Sequence, residues 1–119
     1  MTNIISFSTF LNILKRIDTR ITDEVLANAF DLSTTTIQRW RSGKNHSRNL
    51  PNAFTTNQVE SAIDKLCKNF FGGDDDKLIE ELLFQLEEYY DTDYWTNKYN
   101  FMKNNNPRVR ASFYKELIG

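Results

Sequence analysis

Apolar side chains in the first third of the sequence recur at three- and four-residue intervals, the period of a helix with one buried stripe rather than the alternation of a strand. Phe7, Phe10, Leu11, Leu14 and Ile17 make the first stripe, with Ser6 or Ser8 in place to cap its free amides. A second, shorter helix fits Asp23 to Phe30. Thr22 can cap it, Asp23 and Glu24 put negative charge at the positive end of its dipole, and Leu26, Ala27 and Phe30 make its inner face. A third starts at Ser33, another capping residue, turns Ile37 and Trp40 inward, and runs about three turns to Ser42, where Gly43 can supply the left-handed residue that ends helices.

Lys44 to Thr56 is polar, contains Pro51 and shows no period, which predicts a loop. A helix from about Thr56 to Phe70 follows, with Val59, Ala62, Ile63, Leu66 and Phe70 inward. Gly72-Gly73 breaks the chain. From Asp74 to Tyr90 a long amphipathic pattern places Leu78, Ile79, Leu82, Leu83, Leu86 and Tyr90 on one face and Glu80, Glu87 and Glu88 mostly on the other. The run Tyr89, Tyr90, Tyr94, Trp95, Tyr99, Phe101 predicts a short helix from about Thr92 to Lys103, and Asn106-Pro107 opens a last helix through Leu117. With no repeat and no alternating strand, the expected fold is all-α: a four-helix unit over residues 1–71 and a C-terminal helical extension over 74–119, packed as one compact chain.

Composition narrows the functional classes. The 39% hydrophobic and 13% aromatic content of the 119 residues is that of a globular chain with one modest core. No stretch stays apolar for the roughly 18 residues a membrane helix needs, and Met1-Thr2-Asn3-Ile4-Ile5 lacks the pattern of a signal peptide. A soluble, cytoplasmic protein with no membrane partner is expected. One cysteine, Cys67, and one histidine, His46, are too few soft ligands for a structural zinc site, so no metal or cofactor is expected and Cys67 is a small buried filler. The formal net charge of -1 conceals segregation: residues 1–50 carry seven basic side chains against four acidic, residues 74–91 one against eight, and residues 92–119 five against two. The basic regions can attract phosphate; the acidic block is most simply a solvated helix face.

The second and third helices are joined by Asp31-Leu32-Ser33, with small Ala27 where the second must approach its neighbour closely, the spacing of a helix-turn-helix. The segment Asp23 to Lys44 resembles the lambda-repressor and Cro (Xre-type) helix-turn-helix family. Leu26-Ala27, Leu32-Ser33, Ile37, Trp40 and Gly43-Lys44 supply its leucine-alanine pair, hydrophobe-serine turn, hydrophobe, tryptophan and Gly-Lys ending in order. It departs from the family where glycine is usual in the turn and Asp31 stands here; aspartate tolerates the left-handed conformation better than most residues. The resemblance covers about the first 70 residues and implies double-stranded DNA as partner, a symmetric operator and a homodimer.

The outward residues of the third helix then become candidate base contacts: Ser33, Thr34 and Thr35 at its start, and Gln38 and Arg39 one turn on. Gln38 has the amide that pairs twice with adenine, Arg39 the fork that pairs twice with guanine, and threonine methyls can meet thymine. Arg41, Lys44, His46 and Arg48 are placed for phosphates. Enzyme chemistry has no motif: no nucleophile with its base, no glycine-rich phosphate loop, and Asp74-Asp75-Asp76 reads as helix capping. Tyr94, Trp95, Tyr99 and Phe101 are candidates for a dimer or partner interface, competing with a role as core of the C-terminal helices. The expectation is a non-enzymatic, sequence-specific transcription regulator; phage or mobile-element origin follows from the resemblance and small size. The alternative is a protein-binding inhibitor of the anti-CRISPR kind, built on the same scaffold, whose acidic helix imitates DNA phosphates.

Overall fold

Ser6, Thr22, Ser33 and Asp74 close the first turns of four helices. Each turns a side-chain oxygen onto a backbone amide two or three residues on, at 3.0 Å for Ser6, 3.2 Å for Thr22, 3.1 Å for Ser33, and 3.1 and 3.3 Å for the paired contacts of Asp74. Such caps contribute about 1 kcal/mol apiece. The computed structural model describes residues 5–42, 56–105 and 109–118, with the side chains of 56, 57, 105, 109–111, 115 and 118 left aside. Over these residues the fold is all-α: α1 (Phe7–Ile17), α2 (Asp23–Phe30), α3 (Thr34–Arg41), α4 (Thr56–Phe70), α5 (Asp75–Tyr90), α6 (Tyr94–Asn105) and α7 (Val109–Ile118). Gly43 and Pro51 lie outside the described residues, as does Asn106-Pro107; α6 starts and ends two residues later than its aromatic pattern predicts.

The turn after α2 answers the question posed by Asp31. Its backbone sits in the left-handed region, φ 58° and ψ 48°. The Asp31 amide reaches back to the Asn28 carbonyl at 3.4 Å and the Leu32 amide to Ala27 at 2.8 Å, the paired bonds of a Schellman turn. Gly72 and Gly73, φ 62° and 81°, make the break after α4, and Asp91, φ 51°, the one after α5.

One core runs through the described helices. α1 lies at its centre with Phe7, Phe10, Leu11, Ile13 and Leu14 buried, packing against α3 on one side and α5 on the other. α2 packs on α3 and α4, while α7 returns to cover α4, and the Ile5 amide donates to the Leu117 carbonyl at 2.8 Å. A string of aromatic rings links the two halves. Trp40 of α3 meets Phe7 edge-on at 5.5 Å, Phe7 stacks on Phe10 at 6.3 Å, Phe10 meets Tyr114 of α7 at 6.2 Å, and Phe113 meets Tyr99 of α6 at 5.2 Å. The C-terminal extension is therefore part of the same core as the N-terminal unit.

Cys67 is buried, as a filler should be. Tyr90, expected inward, is instead exposed and meets the Tyr89 ring at 4.9 Å. The inward stripe of α5 ends at Leu86, one turn before Asp91 redirects the chain into α6.

Candidate nucleic-acid interface

α3 is short, and its orientation depends on what grips its two ends. At the start, the Ser33 hydroxyl accepts from the Thr36 amide and shares a 2.8 Å hydrogen bond with the Thr36 hydroxyl, which gives a reason for Thr36 in a helix that threonine otherwise disfavours. At the other end the Arg41 carbonyl, left without a helical partner, accepts from Ser8 Oγ at 2.8 Å and Asn12 Nδ2 at 3.1 Å, both from α1. The Arg41 side chain completes the clamp, donating from Nε to Asn12 Oδ1 at 2.9 Å and from Nη1 to Asp23 Oδ1 at 2.8 Å. Between these grips Ile37 is fully buried and Trp40 half-buried against Phe7.

What this leaves outward is a row. Ser33, Thr35, Gln38 and Arg39 are exposed and Thr34 is half-buried. Of the five candidate base contacts, Ser33 already uses its hydroxyl as a cap; Thr35, Gln38 and Arg39 stand clear of the core. Arg41, expected at phosphates, is half-buried in the clamp; Lys44, His46 and Arg48 lie outside the described residues.

The residues that reasoning from sequence missed are those of the clamp: Ser8, Asn12, Lys15 and Asp23. A signal for them exists, because Ser8, Asn12 and Lys15 recur at i, i+4 and i+7, a polar stripe on a helix whose other faces are apolar. Asp23 is the hub: Lys15 Nζ approaches the same Oδ1 at 3.0 Å as Arg41 does. Burial alone would raise the Asp23 carboxyl, but the Lys15 hydrogen bond, the charges of Arg41 and Lys15, and a hydrogen bond donated by the Gln38 side chain hold it below the usual aspartate value. Lys15, Thr22, Asp23, Glu24, Thr34 and Gln38 line a cleft of about 360 Å³ where α1, α2 and α3 meet.

No family model, curated protein or solved structure matches the chain. What the surface can do rests on its own geometry. Among the described residues no group of His, Cys, Asp or Glu is arranged to hold a metal ion, and no helix is long and apolar enough to cross a membrane.

The four aromatic residues expected at an interface divide. Trp95 and Tyr99 are 4% and 7% exposed and belong to the chain's own core, which corrects their assignment to a surface; Tyr94 and Phe101, at 38% and 68%, face solvent. α6 is aromatic on two faces, so composition could not separate them. Phe84 and Tyr89 of α5 are exposed as well.

Proposed function

We propose that this chain is a sequence-specific DNA-binding regulator of the lambda-repressor and Cro type that inserts α3 in the major groove, as a repressor of phage or mobile-element kind acting on a palindromic operator as a homodimer. The observation that carries the proposal is the row Thr35, Gln38 and Arg39, exposed on a helix anchored at both ends by Ser33 and by the Ser8–Asn12–Arg41 clamp. A groove-reading helix needs that rigidity, because base edges are discriminated by bidentate hydrogen bonds with little angular tolerance. Gln38 and Arg39 are the base readers. Lys44, His46 and Arg48 follow in sequence and supply phosphate contacts, with Arg41 held in the clamp beside them.

Selection from a random duplex pool, followed by retardation of the chosen duplex over a salt series, tests the proposal. Enrichment of a two-fold symmetric sequence, with affinity falling steeply as salt rises, is expected. A second reading has its own observation: Asp74, Asp75, Asp76, Glu80, Glu81, Glu88 and Asp91 of the α5 region are all exposed. A protein-binding inhibitor would use that row as a phosphate mimic. It predicts no duplex retardation and capture of a basic DNA-binding partner.

A further inference from the structure

A carboxylate beside a surface meant for phosphates is an unexpected choice. Asp23, at the first position of α2, could have pointed to solvent or been replaced by any residue that leaves Thr22 to cap. Instead its side chain is 17% exposed and holds two cations from two other helices, Lys15 of α1 at 3.0 Å and Arg41 of α3 at 2.8 Å. Both cations are themselves half-buried, so the attraction is only partly screened by water. Glu24 lines the same cleft, and so do Thr34 and Gln38 of the outward row. The carboxylate therefore faces the region where a DNA strand running past α3 would lie.

Its structural contribution is replaceable in a way its charge is not. The end of α3 is still tied to α1 without Asp23, because Ser8 and Asn12 hold the Arg41 carbonyl and Asn12 holds Arg41 Nε. Removing the charge alone should leave α3 where it is. The cations would then lose their internal partner. Lysine has three N–H donors and arginine five, so each keeps donors that a phosphate oxygen can take.

Resting on the DNA-binding reading above, we infer that Asp23 is an internal counter-ion that stands in for a DNA phosphate and limits affinity. By occupying Lys15 and Arg41 and repelling the backbone, it lowers binding to every duplex equally. Sequence discrimination is left to Gln38 and Arg39.

The test is one of sign. Asp23→Asn keeps the size and removes the charge. It should bind both random and preferred duplex more tightly, by roughly five- to tenfold for one charge at 6–8 Å from one or two phosphates. Its salt slope should steepen by about 0.9 for each phosphate newly neutralised. A purely structural Asp23 predicts weaker binding to both duplexes, and an Asp23 that only orients Gln38 predicts a loss confined to the preferred duplex; either result, or no change, overturns the inference. Arg39→Ala in the same series separates the two ideas. If it loses preference for the selected duplex while Asp23→Asn does not tighten binding, the counter-ion fails and the DNA-binding reading stands. If neither the natural chain nor Asp23→Asn retards any duplex, both fall. Should Asp23→Asn not melt cooperatively, Lys15→Gln decides. Loss of its charge should weaken random duplex by a factor similar to the gain expected for Asp23→Asn, with the salt slope unchanged because Lys15 is paired inside the protein, whereas a salt slope shallower by about one unit would mark Lys15 as an ordinary phosphate contact and sink the inference.

Discussion

Asp31 shows how a residue other than glycine can hold a left-handed turn at the end of a helix. With φ at 58° it accepts the strain that glycine would not feel, and a Cβ without a helpful side chain fits there less well. Asp31→Ala should therefore lower stability by about 1 kcal/mol and Asp31→Gly should be neutral or stabilising, as urea midpoints would show. Loss of stability in the glycine variant would mean that the aspartate side chain, not the backbone, matters at this turn. Asp23 gives a pH signature. Its carboxyl is held below the ordinary aspartate value, so the stabilisation is present above about pH 3.9 and is lost as pH falls through the lower folded value. Urea midpoints measured from pH 6 down to pH 2 should show an acid loss that Asp23→Asn reduces; equal acid limbs would leave Asp23 without a net role. The helical phase shared with Ile37 predicts Trp40 in the core, and the ring is half-buried against Phe7. Trp40→Ala should cost about 2–4 kcal/mol, somewhat under the figure for a fully enclosed tryptophan. A variant that melts as the natural chain does yet loses DNA would show that the ring faces the duplex instead.

At the scale of elements, the period of apolar residues is enough to locate the helices, and caps such as Thr22 and Ser33 place starts to within a residue. Periodicity fails where an element's neighbours decide. The α5 stripe predicts Tyr90 inward because period alone cannot know that the chain turns at Asp91. In α6 aromatic residues occupy both faces, so residue type could not tell the buried Trp95 from the exposed Phe101. The outward row of α3 is legible because one buried position, Ile37, sets the phase of all the others. The clamp is not, because its members lie on three helices and their pairing is a tertiary fact. The proposed roles make a contrast that can be measured on the selected duplex and a random one. Gln38→Ala or Arg39→Ala should each cost about 1–3 kcal/mol on the selected duplex and little on the random one. Equal losses on both would remove these residues from base reading.

The described helices share one buried core, to which α7 contributes as α1 does. Phe113, Tyr114 and Leu117 of α7 are buried, and together they contribute about 5–9 kcal/mol, comparable with the entire stability of a domain this size. A chain ended after Asn105 should lose its cooperative melt, and one ended after Phe71 cannot be used to isolate DNA binding. The oligomeric state needs a gentler tool, and the exposed aromatic residues supply it. One recognition helix reads only a few base pairs, whereas two copies about 34 Å apart read a palindrome. Phe84, Tyr89, Tyr94 and Phe101 lie on α5 and α6, away from α3 in sequence and of the types enriched at interface cores. Because Phe101 is 68% exposed, Phe101→Glu should change the stability of the folded chain by only about 0.5 kcal/mol while placing a charge in any interface built there. Sedimentation at micromolar concentration should give a dimer for the natural chain and a monomer for Phe101→Glu, with affinity for the selected duplex falling and affinity for random duplex little changed. A natural chain that sediments as a monomer both free and on DNA would refute the dimer and leave α5 and α6 to a different protein partner.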